Sequence, residues 1–233
     1  FDGGVYALLG LGLSLTFGCL KRLNLAYGAT AMLAAYIGAW CHLRYQASIG
    51  VVAIVVVVSA TLIGWYVEQL CFARSNDDGL HSAGSARDTL FMTDSREIVA
   101  LASSFAIWMQ LEQLAVNLLP RHLNTFPSIA IDSSWMIGDI TIRPDRLLLT
   151  MLAAALSLGI AVWLQHTRAG LSWRAASDQR TAAHIAGMPV ACLQTTGFVF
   201  ACALSGLAAF AVLSMDGQVT PMFGMWVLFK GLV

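Results

Sequence analysis

Long apolar segments alternate with shorter polar segments along this chain of 233 residues. An α-helix needs about 20 predominantly apolar residues to cross the roughly 30 Å hydrocarbon layer of a bilayer. We therefore expect an all-α fold, a polytopic transmembrane helical bundle of about six complete helices plus the start of a seventh. The predicted helices cover 4–20, 25–40, 49–70, 98–119, 147–165, 191–215 and 222–233.

The composition agrees with a membrane protein built as a single domain over residues 1–233. Hydrophobic residues make up 58% of the chain and charged residues 11%, whereas soluble domains carry about 25% charged residues. The 13 basic and 13 acidic residues balance, so no basic patch for a nucleic acid is indicated. Phe1 opens directly on an apolar segment and residues 226–233 end within one, so we expect a chain trimmed at both ends.

The basic residues are distributed unevenly between the two sides of the predicted bundle. Cytoplasmic loops carry an excess of Lys and Arg, so the side with more of them is expected to be cytoplasmic. That side includes the polar loop 166–189, and the segment 121–144 is then external. The loop side holds Lys21, Arg22, Arg74, Arg87, Arg96, Arg168, Arg174 and Arg180, and the other side holds Arg44, Arg121, Arg143 and Arg146.

Two other patterns predict packing. Hydrophobic residues alternate with period two at 129–131 and 140–142, which is typical of a short hairpin. This hairpin could be a lid over the helix ends or a docking surface for an external partner. Small residues recur every four positions on two helices, a spacing that lets backbones approach closely in lipid. It indicates tight helix packing or a subunit interface. These residues are Gly10, Ser14 and Gly18 on the first helix, and Gly197, Ala201, Ser205 and Ala209 on the sixth.

Polar residues within the fourth helix need an explanation. Gln110, Gln113 and Asn117 share one helical face, and Glu112 lies beside it. Glu112 is either part of a polar lining or inter-subunit contact, or an interfacial residue whose carboxylate reaches outwards, because a charge at the bilayer centre costs about 2.5–3.5 kcal/mol on insertion scales.

The motifs of an enzyme are missing from the sequence. There is no phosphate-binding G-x-x-x-x-G-K-[ST] loop, no H-E-x-x-H zinc motif and no G-x-S-x-G nucleophile elbow. We expect no catalytic residues, no bound metal, no cofactor and no ATP hydrolysis by this chain. The five cysteines are scattered and form no C-x-x-C pair, so we expect small buried thiols.

Three stretches of the chain carry a family resemblance. The first runs from Gly3 to Gly18 and continues through Asn24-Leu25-Ala26-Tyr27-Gly28 and 32–36. The second matches the family pattern in the polar loop at Thr167, Arg168, Gly170, Arg174, Ala175, Asp178, Ala182 and Gly187. The third contains 203–208 and then Pro221, Gly224 and Lys230. Together they resemble the branched-chain amino-acid (Liv-type) ABC permease family, specifically its H-type subunit. Tyr27 stands where that family has His, and Ala29 stands where it has an acidic residue.

The polar loop 166–189 resembles the cytoplasmic coupling loop of such permeases. A short helix that bears Arg174 and Ala175 and is ended by Gly187 and Pro189 would form a compact knob. Such a knob could fit a cleft on an ATPase and pass a rigid-body motion to the flanking helices. The alternative is a plain connector. The predicted coupling residues are Arg168, Gly170, Arg174, Ala175, Asp178, Ala182 and Gly187.

The resemblance implies a permease subunit of an ATP-driven ABC importer, multi-pass in the bacterial inner membrane. Its implied partners are a second permease subunit, cytoplasmic ABC ATPase subunits, an extracytoplasmic substrate-binding protein and the lipid bilayer. Branched-chain amino acids are the expected cargo, and urea or short amides are the alternative within the family. A self-sufficient channel or secondary transporter is the alternative class, although no paired intramembrane acids or inverted broken helices support it. We place the substrate path at Asn24, Tyr27 and Gln113.

Overall fold

The computed structural model describes residues 2–20, 24–70, 86–118, 125–127, 135–137, 140–142 and 144–232. Within these ranges the chain forms nine helices and one two-stranded sheet. The helices are α1 Asp2–Leu20, α2 Ala26–Tyr45, α3 Ile49–Glu68, α4 Ala86–Leu118, α5 Pro144–His166, α6 Arg168–Asp178, α7 Arg180–Ile185, α8 Val190–Asp216 and α9 Phe223–Leu232. The strands are β1 Trp135–Ile137 and β2 Ile140–Ile142.

The expected all-α membrane fold is confirmed. Within the described residues, three stretches are long and apolar enough to cross a bilayer, at Ile49–Glu68, Leu147–His166 and Cys192–Asp216. The outer faces of α3, α4 and α5 expose large apolar side chains such as Ile54, Met109 and Leu158. Lipid tails rather than water are the natural neighbours of such a surface.

The core of the bundle lies around α2 and α8, where small residues let the helices pack closely. Nearly the whole length of α2 before Trp40 is buried. On α8 the small-residue face at Gly197, Ala201, Ser205 and Ala209 is buried as well, which confirms the tight packing predicted for it. A Cβ placed on Gly206 would lie 2.7 Å from the Cβ of Ala60 on α3. The backbones of α3 and α8 therefore approach each other closely at Gly206, as small residues permit in lipid.

The last described helix, α9, is fixed against α1 and α2. A side chain at Gly28 would overlap the carbonyl group of Gly224, so the backbones of α2 and α9 touch at this crossing. The Lys230 ammonium lies over the Tyr6 ring of α1, 4.8 Å from its centroid. This cation–π contact explains how the apolar helix α9 can carry a lysine.

A predicted helix boundary was wrong, and the predicted hairpin is described only in part. The fourth helix, predicted over 98–119, begins at Ala86, well before the apolar part of its sequence. Charged residues such as Arg and Glu favour a helix almost as strongly as Leu does, and a hydropathy pattern does not register that preference. Strand β2 occupies 140–142 as expected, but it pairs antiparallel with Trp135–Ile137. The predicted partner at 129–131 lies outside the described residues.

Candidate functional site

The predicted coupling segment begins with a sharp turn between α5 and α6, which is held by Thr167. Its hydroxyl donates to the carbonyl oxygen of Trp163 at 2.7 Å. The same oxygen accepts a hydrogen bond from the Gly170 amide at 3.0 Å. Threonine is a favoured N-cap residue because its side chain can satisfy an otherwise free amide of the first turn. The cap fixes the direction in which α6 leaves α5.

Gly170 allows α6 to lie directly on the end of α5. A Cβ at this position would overlap the Leu164 carbonyl group and come within 2.6 Å of the Leu164 Cα. Because the obstacle is backbone rather than a flexible side chain, a larger residue could be accommodated only if one of the two helices moved. Gly170 therefore permits the close approach of α6 to α5, and its role in coupling stays a prediction.

The inner face of α6 is anchored by an aromatic cluster, which consists of Trp163 on α5, Trp173 on α6 and Phe200 on α8. The ring centroids of Trp163 and Trp173 are 5.3 Å apart at 88°, and those of Trp173 and Phe200 are 6.1 Å apart at 67°. Edge-to-face pairs of this kind contribute about 0.5–1.5 kcal/mol beyond their buried area. The cluster ties three helices together, and sequence reasoning missed it. The only feature of the sequence that could have indicated it is the spacing of Trp173, which lies three residues from Gly170 and three from Ala176. These are the other buried residues of α6.

The outer face of α6 carries the charged residues predicted for coupling. Arg168, Arg174 and Asp178 are exposed, and Ala175 is half-buried. Leu171 lies on this face with 64% of its surface exposed. On α7, Ile185 is 82% exposed and Ala182 is also exposed. We give the name coupling surface to six exposed residues of α6 and α7: Arg168, Leu171, Arg174, Asp178, Ala182 and Ile185.

The predicted single short helix is a pair of helices. The backbone leaves helical geometry at Gln179, with φ −137° and ψ 95°, so α6 ends there and α7 follows at once. Gly187 then adopts a left-handed conformation with φ +78°. The Met188 amide donates to the carbonyl oxygen of Ala183 at 3.1 Å, which completes a Schellman motif. The helix that bears Arg174 and Ala175 therefore ends earlier than predicted, and it is α7 that Gly187 terminates.

A buried carboxylate that the sequence analysis did not single out lies near this segment. Glu68 ends α3 and is 1% exposed. Its Oε1 accepts a hydrogen bond from the Thr195 hydroxyl of α8 at 3.0 Å. Among the described residues, its Oε2 has no hydrogen-bond partner. The only signal in the sequence is an acidic residue near the end of a long apolar run. By contrast, Glu112, which the sequence analysis did single out, is only half-buried on α4.

Asn24 lies at a cavity of about 280 Å³ between α1 and α9, and its surroundings combine apolar and polar groups. Its Oδ1 accepts from the Ala26 amide at 3.0 Å and so helps to start α2. Its Nδ2 is buried and finds no acceptor among the described residues. Leu13, Phe17 and Ser14 also line this cavity. Asn24 is 1% exposed, so the walls of this cavity are mainly apolar side chains.

Of the other two predicted path residues, Tyr27 lies near Asn24 and Gln113 does not. Tyr27 is fully buried, and its hydroxyl donates to the Leu9 carbonyl oxygen at 3.3 Å, so it joins α2 to α1. Gln113 is exposed on α4. It lies about 13 Å along that helix from Ser104, whose hydroxyl accepts from the Leu25 amide. The structure therefore keeps Asn24 and Tyr27 together near the start of α2 and separates Gln113 from them.

Similar proteins point to one kind of function. The whole chain, residues 1–233, matches the family described as the permease component of branched-chain amino acid transport systems. One similar protein is LivH of Salmonella typhimurium, the high-affinity branched-chain amino acid transport system permease protein. It is 19% identical over an alignment of 235 residues, and the match covers 95% of this chain and 70% of LivH. LivH of Escherichia coli K12 is 18% identical over 237 residues with the same coverage. No solved structure matches the chain significantly.

Proposed function

The chain belongs to the family of permease components of branched-chain amino acid transport systems, and we propose that it is the membrane-embedded subunit of an ATP-driven importer. In this proposal the coupling surface docks on a cytoplasmic ABC ATPase. The observation that carries this proposal is the difference between the two faces of α6. Its outer face is exposed, whereas its inner face is held by the aromatic cluster. A displacement of the outer face therefore moves α5, α6 and α8 together.

The proposed cargo is a branched-chain amino acid, with urea or a short amide as the alternative. The LivH proteins are named for branched-chain amino acid transport, and this supports the first cargo. The apolar walls of the cavity at Asn24 favour a ligand with a hydrocarbon side chain. Uptake of labelled leucine compared with labelled urea distinguishes the two.

The proposed assembly contains further subunits and lies in the bacterial inner membrane. It includes a second permease subunit, the ATPase subunits and an extracytoplasmic substrate-binding protein, with this chain as a multi-pass component. Transporter permeases are not a class of enzymes, and the sequence lacks a phosphate-binding loop. We therefore assign ATP hydrolysis to the separate ATPase subunits. An autonomous channel would need no ATPase, so co-purification of an ATPase with the full-length permease separates these classes.

The experiment that tests the proposal reverses one charge on the coupling surface. Arg174→Glu in the full-length permease should leave its level in the membrane unchanged, because substitutions at exposed positions usually change stability by less than about 0.5 kcal/mol. We expect uptake of leucine to be lost and ATPase co-purification to weaken, since the reversed charge opposes the ATPase surface. Arg44→Glu is the matched control, because Arg44 is an exposed arginine at the end of α2. Full uptake by the Arg174→Glu variant would remove this residue from the coupling mechanism.

A further inference from the structure

Glu68 and Thr195 join two helix ends that are far apart in sequence. Glu68 is the last residue of α3, and Thr195 lies in the second turn of α8. The distance between the Thr195 Oγ1 and the Glu68 Oε1 is 3.0 Å. A hydrogen bond is directional, so it restricts both the distance and the relative orientation of the two side chains. This contact therefore holds the start of α8 at a defined position against α3.

The contact is made by a group that is costly to bury. Glu68 is 1% exposed, and its second carboxyl oxygen is unpartnered among the described residues. Most buried polar atoms in native proteins are hydrogen-bonded, and each exception calls for an explanation. An apolar side chain would fill this site at lower free-energy cost. A role for the carboxyl group beyond packing would explain why an acidic side chain occupies this buried site.

The location of the contact connects it to the coupling segment. Further along the same interface, a Cβ at Gly64 would lie 2.6 Å from the Cβ of Cys202, so α3 and α8 pack tightly towards the core. On the opposite side, Gln194 and Leu193 line a narrow cleft with Trp173 and Ala176 of α6. The first turns of α8 thus lie between α6 and the end of α3.

We propose that Glu68 is a positioning residue for coupling, which through Thr195 makes α3 follow the movement of α6 and α8. The inference rests on the proposed function. When the ATPase displaces the coupling surface, the aromatic cluster passes the displacement to α8. The Glu68–Thr195 hydrogen bond then passes it to α3. Without the hydrogen bond, the end of α3 no longer follows the start of α8, although the two helices stay packed further along at Gly64. The ATPase cycle then moves less of the bundle.

The test removes the donor and leaves the acid in place. Thr195→Val keeps the shape of the side chain but cannot donate, and Thr196→Val is the matched control. Thr196 is exposed, and its hydroxyl donates to the carbonyl oxygens of Cys192 and Leu193 within α8. Both variants are made in the full-length permease, assembled with its ATPase and binding protein in proteoliposomes. Leucine uptake and ATP hydrolysis are measured together.

We expect Thr195→Val to hydrolyse ATP at a rate comparable to the wild type but to transport about five-fold less leucine per ATP. This factor corresponds to the loss of one hydrogen bond worth about 1 kcal/mol. Thr195→Ser should restore the ratio, because it restores the donor, and Thr196→Val should resemble the wild type. Equal ratios for the two valine variants would overturn the inference. So would a failure of both Thr195→Val and Glu68→Gln to reach the membrane while Thr196→Val succeeds, since this would show a folding role. If the wild-type complex itself shows no ATP-driven uptake, the proposed function fails instead.

Discussion

At the scale of single residues, the geometry of the predicted coupling segment depends on a missing side chain at Gly170 and on the side chain of Thr167. Gly170 is needed because the Leu164 backbone occupies the space of a side chain. Thr167 is needed because one oxygen both donates to Trp163 and accepts from Gly170. Together they determine the angle between α5 and α6, and hence the position of the Arg174 side chain outside the bundle.

A methyl group at Gly170 should displace α6. We expect Gly170→Ala to lower both leucine uptake and the thermal stability of the permease in detergent, because overpacking against rigid backbone costs about 1–3 kcal/mol. Gly159→Ala on α5 is the control. A Cβ there meets nothing within 4 Å, and alanine has the higher helix propensity. If both variants unfold at the wild-type temperature, the close approach of α6 to α5 does not constrain the protein.

Single residues also show where the sequence is informative about the site. The outward position of Arg174 and Asp178 followed from helical spacing and polarity, because such side chains are rarely buried. The burial of Trp173 could not be predicted, since its partners Trp163 and Phe200 belong to other helices. The burial of Glu68 could not be predicted for the same reason. Its chemistry depends on Thr195, which lies 127 positions along the chain.

At the scale of secondary-structure elements, α8 organises the bundle. It packs against α1, α2 and α3 through small residues, and its start also contacts α6. The spacing of small residues was sufficient to predict the packing of α8, because it is a local property of one helix. The same spacing on α1 gave a different result. Ser14 is exposed, and a Cβ on Gly18 would meet nothing within 4 Å. A subunit interface on that face of α1 remains a prediction.

A bulky residue on the small face of α8 should destabilise the bundle. Ser205 is fully buried, and its hydroxyl donates to the Cys202 carbonyl oxygen. Ser205→Leu should therefore lower the unfolding temperature in detergent, with a cost of about 1–3 kcal/mol. Thr196→Leu adds a similar side chain to an exposed position of the same helix and should have little effect. Equal stability of the two variants would mean that there is room for a larger side chain beside this face of α8.

Boundaries of elements were less predictable than their existence. The apolar stretches of α3, α5 and α8 were identified because hydropathy alone defines them. The start of α4 at Ala86 and the division between α6 and α7 at Gln179 were not identified. Both depend on backbone propensity and on local contacts, which change the extent of a helix without changing its hydropathy.

At the scale of the whole molecule, α8 separates two regions with different proposed tasks. Its apolar stretch Cys192–Asp216 has 25 residues, which as a helix is about 37 Å long and exceeds the hydrocarbon thickness. The coupling surface precedes this stretch in the chain. After it, Gly217 accepts a hydrogen bond from the Phe126 amide, and Gln218 forms a bridge with Thr125. If α8 spans the bilayer, these two regions face opposite compartments.

The orientation of the two regions can be measured by labelling single cysteines from outside the cell. Ala182 on α7 and Gln218 after α8 are both exposed, so a cysteine at either position can react. The native cysteines are first replaced, because Cys192 is exposed and would react as well. With the excess of basic residues on the cytoplasmic side, an impermeant thiol reagent should label Gln218→Cys in intact cells. It should reach Ala182→Cys only after the membrane is permeabilised. Labelling of Ala182→Cys alone in intact cells would reverse the orientation and place the coupling surface away from ATP. Labelling of both would show that α8 does not cross the membrane.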